Sequence, residues 1–276
     1  AIIEVEGLLA NARTGGSLLG ARENRLALFA QQLERAERDP AVRAVVLRVN
    51  SPGGTVTASD AMYQLLRRFR QRTGKPVIAS CQEVCASGAY YVSCAADEIH
   101  AQPSSVVGSI GVIFSSFNLE GTLNLIGVKP EIVKSGPLKD MASPFKPMAS
   151  EERQILQAMI DDYHRGFVAI VREARKLPDN PSLSETTDGR VFTGEQALAR
   201  GLIDRLGMLE DALDRARELA GARGASAVIY KRPYGSSGSI YATQDVPPAQ
   251  SGVLQLPVPE EFPLTLPAGF YYLWLP

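Results

Sequence analysis

Histidine, cysteine and long apolar runs are all scarce in this 276-residue chain, and each scarcity excludes a class of site. The only histidines, His100 and His164, have no partner at metal-like spacing, so no metal site is expected. The three cysteines are Cys81, Cys85 and Cys94, an odd and clustered set that makes a poor disulfide framework. We expect them to be small core residues.

The sequence has no run of about 18 apolar residues, which a transmembrane helix would need. It opens without Met on a strand-like segment, residues 1–7, so we interpret it as a fragment of a longer chain. An anchor or a signal upstream of it stays open. Its 29 basic residues nearly balance 30 acidic ones, which leaves no global field to attract nucleic acid or an anionic membrane. The substrate should therefore be recognised locally.

Apolar patterns in the first half of the chain predict helices that alternate with strands. Helices are expected over residues 23–38, from a cap at Thr57 or Ser59 to about Arg72, and over 87–96. Strands are expected over residues 41–50, 76–81, 98–101, 106–115 and 131–134. This alternation predicts an α/β fold built from βαβ units with right-handed crossovers.

The second half is predicted to be mostly helical and to end in a tail. Helices are expected over residues 150–176, 194–200 and 209–220. After Tyr230 the composition shifts to Gly, Ser and Pro, so we divide the chain into a body, 1–225, and a C-terminal tail, 226–276.

The tail also carries large apolar side chains: Phe262, Phe270, Tyr271, Tyr272, Leu273 and Trp274. Leaving them in water would cost ~1.5–3 kcal/mol each. We expect the tail to dock on the body or on a neighbouring subunit; a flexible end and a partner-binding peptide are the alternatives.

Two turns could carry chemistry. Gly53 and Gly54 close a predicted buried strand, and paired glycines let backbone N–H groups point at a developing oxyanion. Ser87 lies at a predicted strand-to-helix junction among small residues, where the N–H of Gly88 would be a second oxyanion donor. A Ser at that position is equally typical of an ordinary helix cap, so both interpretations stay open.

A serine hydroxyl is a weak nucleophile unless a base activates it. His164 is predicted to lie mid-helix, and His100 ends a short strand with no telling acidic neighbour, so neither is a good base. A lysine can serve when burial lowers its pKa from about 10.4. Lys139 is the best placed, in a loop after a predicted strand, although a loop lysine is usually solvated.

Five motifs occur in order along the body. They are Val-Asn-Ser-Pro-Gly-Gly at 49–54, Ala-Ser-Gly-Ala-Tyr-Tyr at 86–91, Gly-Ser-Ile-Gly-Val at 108–112, Lys-Ser-Gly-Pro-Leu-Lys-Asp at 134–140 and Asp-Gly-Arg-Val-Phe-Thr-Gly at 188–194. Together they resemble the signal peptide peptidase A family of serine peptidases over about residues 2–220. That resemblance implies a crotonase/Clp-like fold of repeated ββα units around a core sheet with C-terminal helices.

The same resemblance implies roles for five residues. Ser87 matches the nucleophile, Lys139 the general base, and Ser109 the hydroxyl residue that hydrogen-bonds the lysine amine. The N–H groups of Gly54 and Gly88 match the oxyanion hole.

The family also implies substrates, assembly and location. The expected substrates are cleaved signal peptides and other apolar peptides, with no cofactor and no nucleic acid. A ring-like homo-oligomer is expected in which the serine of one subunit meets the lysine of its neighbour. Family members are held at the membrane by an N-terminal segment, absent from this chain, with the catalytic domain outside the cytoplasm.

Two other functions remain open. One is a crotonase-type acyl-CoA hydratase or isomerase, which uses the same oxyanion hole but acidic catalytic residues. The other is a non-catalytic scaffold that retains the fold and binds peptides. Reaction of Ser87 with a serine-directed label separates the peptidase from the first of these, and turnover of casein or a signal-peptide mimic separates it from the second.

Overall fold

The structure is a computed structural model that describes residues 1–11, 13–14, 23–179, 181–230 and 269–274. The strands described are β1 (Ile2–Glu6), β2 (Arg13–Thr14), β3 (Glu23–Asn24), β4 (Val45–Ser51), β5 (Gly53–Thr55), β6 (Val77–Ala86), β7 (Glu98–Ala101), β8 (Val106–Gly108), β9 (Ile113–Ser115), β10 (Val191–Thr193), β11 (Arg205–Leu206) and β12 (Gly269–Leu273). The helices described are α1 (Arg25–Arg38), α2 (Val56–Thr73), α3 (Gly88–Ser93), α4 (Glu120–Leu125), α5 (Ser150–Arg175), α6 (Pro181–Thr186), α7 (Gly194–Ala199) and α8 (Leu209–Leu219).

A seven-stranded sheet forms the centre of the fold. Its main path runs β1-β4-β6-β7-β11, and β8 joins β6 to β10 at one end. Every pairing along the main path is parallel, as is β6 with β8, whereas β8 and β10 are antiparallel. The predicted α/β class, with a parallel-rich core sheet and helices around it, is confirmed.

Helices cover both faces of this sheet, and the first five residues of β4 and of β6 are accordingly buried without a break rather than at alternate positions. On one face, Leu47 packs in the main core with Phe29 of α1 and Leu66 of α2. On the other face, Val46 and Ile78 pack with apolar residues of α8. The buried sheet gives the loops at its edge a rigid support.

Side-chain caps decide where the first two helices begin. Asn24 accepts a hydrogen bond from the N–H of Ala27 at 3.0 Å and caps α1. The cap of α2 is Thr55, which accepts from the N–H of Ala58 at 3.3 Å, so the predicted cap at Thr57 or Ser59 is wrong. The hydroxyl of Ser59 instead donates to the carbonyl of Thr55 at 3.0 Å, inside the helix.

Four predicted strands differ from the structure. The strand expected over 41–50 begins only at Val45, and the strand expected over 76–81 continues to Ala86. The strand expected over 106–115 is two strands in different sheets, because Gly108 and Ser109 have φ of 107° and 51° and turn the chain out of β8. No strand forms over residues 131–134. Val133 is fully exposed there, and no described strand lies alongside to complete a hydrogen-bonded ladder.

The C-terminal half follows the sequence prediction closely. The long helix α5 ends at Arg175, where Lys176 adopts a left-handed conformation, and α7 and α8 end within one residue of expectation. Contact with the central sheet continues past residue 225, because Ile2 donates to the carbonyl of Val228 at 2.8 Å. Among the described residues, no helix has both the length and the apolar character to cross a membrane.

The cysteines lie in the core, as the sequence predicted. Cys81, Cys85 and Cys94 are buried, and none is in a disulfide. Burial raises the pKa of the Cys94 thiol to about 12, so it stays protonated at neutral pH.

Candidate active site

Ser87 sits at the junction between β6 and α3 with an unusual backbone. Its φ of 53° and ψ of −117° are costly for a residue with a side chain, and such strain is typical of functional turns. Its N–H donates to the carbonyl of Gly108 at 2.7 Å, which ties the turn to β8. The side chain makes no capping hydrogen bond to α3, so the interpretation of Ser87 as an ordinary helix cap is wrong.

The Ser87 hydroxyl is buried, with only 1% of the residue exposed. Within the part of the chain that the structure describes, its Oγ has no hydrogen-bond partner. Burying a hydroxyl without a hydrogen-bond partner costs free energy and gives a purely structural serine no benefit. A functional role explains it, because a substrate or a base would supply the missing partner.

Ser109 lies beside this turn. Ala86 and Gly108 are paired in register at the ends of β6 and β8, and Ser87 and Ser109 are the residues that follow them. Ser109 is nearly buried, and its N–H donates to the carbonyl of Arg190 at 2.8 Å. The structure therefore brings these two predicted site residues together on adjacent strands.

The glycines of the predicted oxyanion hole have no room for a side chain. A Cβ on Gly54 would collide with the backbone of Leu9, and one on Gly88 would collide with the Ser59 hydroxyl. The same Cβ on Gly88 would lie 3.2 Å from the amide nitrogen of Gly54, so the two turns are in close contact. This close approach of backbones requires glycine at both positions.

Ser51 supports the glycine turn, and sequence reasoning missed it. Its Oγ accepts from the N–H of Gly53 at 3.1 Å and donates to the carbonyl of Gly7 at 2.6 Å. Gly53 itself has φ of 103°, which only glycine adopts without strain. The signal that could have identified this support is a serine directly before a Pro-Gly-Gly turn.

Lys139 makes no hydrogen bond to the Ser87 hydroxyl within one chain. It belongs to the segment 116–149, where α4 has no buried residue, and Lys139 is itself exposed. Its N–H closes a turn on the carbonyl of Gly136 at 3.2 Å. The unpartnered Oγ of Ser87 means that no lysine of the described residues bonds it.

An ion-pair cluster shapes the segment next to Lys139. Lys134 Nζ donates to both oxygens of Asp140 at 2.8 Å, and Lys146 Nζ lies 3.0 Å from the same carboxylate. The hydrogen bonds from Lys134 and Lys146 hold the pKa of Asp140 below its usual range. Lys146 also pairs with Glu152 at the start of α5, which joins the segment to the body.

Both histidines have structural partners. His100 is buried with Nε2 3.0 Å from Glu98, so the expectation that it lacks an acidic neighbour is wrong: residues i and i+2 share one face of a strand. His164 Nε2 lies 2.7 Å from the carbonyl oxygen of Thr187. Neither ring bonds Ser87, whose Oγ is unpartnered among the described residues. In the described ranges no group of three or more potential ligands could hold a metal ion.

The last described segment, β12, lies over these glycines. It is the middle strand of a three-stranded antiparallel sheet, between β5 and β9. Tyr272 lies opposite Gly54 in this ladder. The sequence predicted that the tail docks, but no pattern in the sequence identified β5 and β9 as the strands with which it pairs.

Comparisons with known proteins point to one family. The sequence profile of Peptidase family S49 matches residues 69–223, more than half of the chain. An SppA homologue from Enterococcus faecium is 36% identical over 230 residues, which are 83% of this chain and 66% of that protein. Protease 4 of Salmonella typhi is 41% identical over 191 residues, 69% of this chain and 30% of that protein.

A plant relative extends this similarity. The chloroplastic serine protease SPPA of Arabidopsis thaliana is 31% identical over 225 residues, which are 80% of this chain and 32% of that protein. The chain thus spans two thirds or less of the length of each of these relatives.

Proposed function

The chain belongs to peptidase family S49, the SppA family of serine peptidases, and we propose that it is a serine endopeptidase with Ser87 as nucleophile and Lys139 as general base. Its proposed substrates are cleaved signal peptides and other apolar peptides. The observation that carries the proposal is the Ser87 turn, where a buried hydroxyl without a described partner adjoins two closely packed glycine backbones.

The proposed mechanism is acyl transfer. Lys139 in its neutral form takes the proton of Ser87, and Ser87 Oγ attacks the peptide carbonyl. The N–H groups of Gly54 and Gly88 stabilise the oxyanion, and donors of this kind are worth about 10²–10³ in kcat. Protonated Lys139 gives its proton to the leaving amine as the C–N bond breaks. Water then loses a proton to Lys139 and attacks the acyl-enzyme, and that proton returns to Ser87 Oγ as the acid product leaves.

The position of Lys139 makes assembly part of the proposal. In one chain this lysine is exposed and does not bond Ser87, so a neighbouring subunit of a homo-oligomer would supply it. The segment 116–149 supports this, because Leu125, Ile126 and Val133 project from it into solvent. Clusters of exposed apolar side chains are typical of interaction surfaces.

The location is proposed from the family alone. Members of the signal peptide peptidase A family are held at the membrane by an N-terminal segment, with the catalytic domain outside the cytoplasm. We extend that arrangement to this protein. Cysteine labelling tests this location. A surface cysteine is engineered into the full-length protein, and cells that express it are treated with a membrane-impermeant cysteine reagent.

A serine-directed label tests the chemistry. We expect a fluorophosphonate probe to modify the assembled protein on Ser87, and casein or a signal-peptide mimic to be cleaved. Ser87→Ala should abolish both probe labelling and peptide cleavage. Ser104→Ala, which changes an exposed serine, should leave both unchanged. Absence of an adduct on Ser87 in folded oligomer would overturn the proposal, and peptide binding without cleavage would favour the scaffold function.

A further inference from the structure

The loop that carries Lys139 is closed by an ion pair between its two ends. Lys134 Nζ donates to both carboxylate oxygens of Asp140 at 2.8 Å, and to a backbone carbonyl within the loop at 3.2 Å. Inside the loop, the N–H of Lys139 donates to the carbonyl of Gly136 at 3.2 Å. Residues 134–140 thus form a closed loop, the lysine loop, in which Lys139 directly precedes the carboxylate that closes it.

A second lysine connects the lysine loop to the body of the protein. Lys146 Nζ lies 3.0 Å from Asp140 Oδ1 and also pairs with Glu152. Glu152 belongs to the first turn of α5, the long helix that packs on the main core, and its other carboxylate oxygen accepts from the N–H of Ala149 at 3.3 Å. Alternating charges therefore run from Lys134, through Asp140 and Lys146, to a carboxylate of the body.

Apolar packing does not hold this part of the chain. None of residues 116–149, all of which the structure describes, is buried, and apolar side chains such as Leu125 and Val133 are exposed. The N–H of Leu119 donates to the carbonyl of Pro144 at 2.7 Å, but this bond joins the segment to itself and not to the body. Few buried apolar contacts leave a segment free to move unless other interactions fix it. The order of the lysine loop therefore depends on its ion pairs.

The shielding of the two carboxylates distinguishes this cluster from ordinary surface ion pairs. Exposed pairs contribute only ~0–1 kcal/mol, because water screens them and the side chains lose freedom. Here only 12% of the Asp140 side chain and 2% of the Glu152 side chain are exposed. Asp140 also pairs with two lysines, and Glu152 with one lysine and one backbone N–H. Several bonds to one carboxylate restrict its position, and at Asp140 they restrict the backbone next to Lys139.

We propose that Asp140 and Lys146 are positioning residues for the general base: they hold the lysine loop in the shape in which Lys139 reaches Ser87 of a neighbouring subunit. This inference rests on the proposed peptidase function and adds a requirement inside the subunit that supplies the lysine. A base must lie within hydrogen-bond reach of the proton that it takes. A displacement of about 1 Å can lower the rate by about 10²-fold, so the shape of the loop that carries the base affects catalysis directly.

Kinetics of single variants test the positioning role. In the assembled protein, Lys146→Met should lower kcat for a signal-peptide mimic by about 10²-fold and change KM by less than about 2-fold, because Ser87 and the glycine turns are untouched. Lys146→Arg should keep most of the activity, since a guanidinium also bonds carboxylates well. The matched control is Lys129→Met, which changes an exposed lysine of the same segment and should leave kcat unchanged. A Lys146→Met enzyme with the wild-type kcat would overturn the proposal.

The placement of the substitution in a mixed oligomer separates positioning from general damage. Ser87→Ala subunits, which supply the lysine, are mixed with Lys139→Ala subunits, which supply the serine. Lys146→Met in the lysine-supplying subunit should lower the recovered hydrolysis by about 10²-fold. In the serine-supplying subunit the lysine loop carries no base to position, so the same change should lower it far less. Equal losses in the two placements would indicate general damage and overturn the positioning role.

Hydrogen exchange gives a readout without catalysis. In Lys146→Met protein the backbone amides of residues 134–140 should exchange roughly 5-fold faster or more than in the wild type, because the loop loses its connection to Glu152. Amides of α8, far from the loop in sequence, serve as the internal control. Faster exchange in a protein that cleaves nothing as wild type would count against the peptidase function alone. Cleavage and exchange that Lys146→Met leaves unchanged would count against the positioning role alone.

Discussion

Ser87 and Ser109 leave two neighbouring parallel strands at the same level, each one residue beyond the paired residues Ala86 and Gly108. Both have positive φ, 53° and 51°, although neither is glycine. The carboxyl ends of parallel strands are where α/β proteins bind ligands, since chain turns there project side chains from a rigid sheet. Two strained serines side by side form the core of the candidate site.

Ser109 should affect activity through its side chain and not through the fold. Ser109→Gly suits a φ of 51° better than serine does, so thermal stability should hold or rise. Peptidase activity should fall by roughly 10²-fold, because the residue proposed to orient the lysine is lost. Thermal melts and pH–rate profiles measure both effects. A profile unchanged in shape, with full activity, would exclude the orienting role.

Mixing two inactive variants tests the shared site. Ser87→Ala and Lys139→Ala should each be inactive when assembled alone. In a mixed oligomer, a Lys139→Ala subunit offers Ser87 to the lysine of a Ser87→Ala neighbour, and random 1:1 assembly restores about one quarter of the sites. Hydrolysis is measured after dissociation and reassembly, with each variant reassembled alone as control. No recovery in verified mixed oligomers would place the lysine in the same chain.

Gly88→Ala should disable the site. Its added methyl group meets the Ser59 hydroxyl and displaces the backbone at the oxyanion donor, so kcat should fall by about 10²-fold or more. The matched control is Gly166→Ala in α5, where a Cβ meets nothing within 4 Å. That variant should keep its activity and gain up to about 1 kcal/mol of stability from helix propensity. Urea unfolding and kinetics distinguish the two.

The buried ion pair between Arg48 and Glu4 should be costly to break. The two residues are paired in register on β4 and β1, Arg48 also lies 3.1 Å from Glu6, and Arg48 is almost fully buried. Arg48→Ala would leave two carboxylates without this partner and should lower the free energy of unfolding by about 3–5 kcal/mol. Urea denaturation measures it, and the control Arg205→Ala removes a more exposed arginine. Equal losses in both variants would contradict a role for burial.

Acid should destabilise the fold through Glu98. Hydrogen bonds from Arg215 and then from His100 hold the pKa of Glu98 at about 2, below its ordinary 4.5. A lowered folded-state pKa contributes stability that is present above pH 4.5 and is lost as the pH falls toward 2. Midpoints of urea unfolding across this range should fall less steeply for Glu98→Gln than for wild type. Glu131→Gln, an exposed residue, should retain the wild-type slope.

Much of the fold was predictable because it depends on local patterns. Helix α5 follows from apolar periodicity with acidic residues in its first turn and basic ones in its last. The strand over 131–134 was wrongly predicted, because two adjacent apolar residues, Ile132 and Val133, look the same in a strand and in an exposed segment. Strand formation needs a neighbour, which a local pattern does not report.

The candidate site likewise has some features that local sequence predicts and others that depend on contacts between distant segments. The Ser87 turn and the glycine turn at 53–54 were predictable from local sequence, because small residues and glycines mark where the backbone must bend or approach another segment closely. Three other features follow only from tertiary contacts: Ser109 leaves its strand beside Ser87, Lys139 is exposed, and residues 269–273 cross the glycines. These facts depend on pairing between segments far apart in the chain, and no local pattern encodes which distant strand becomes the partner.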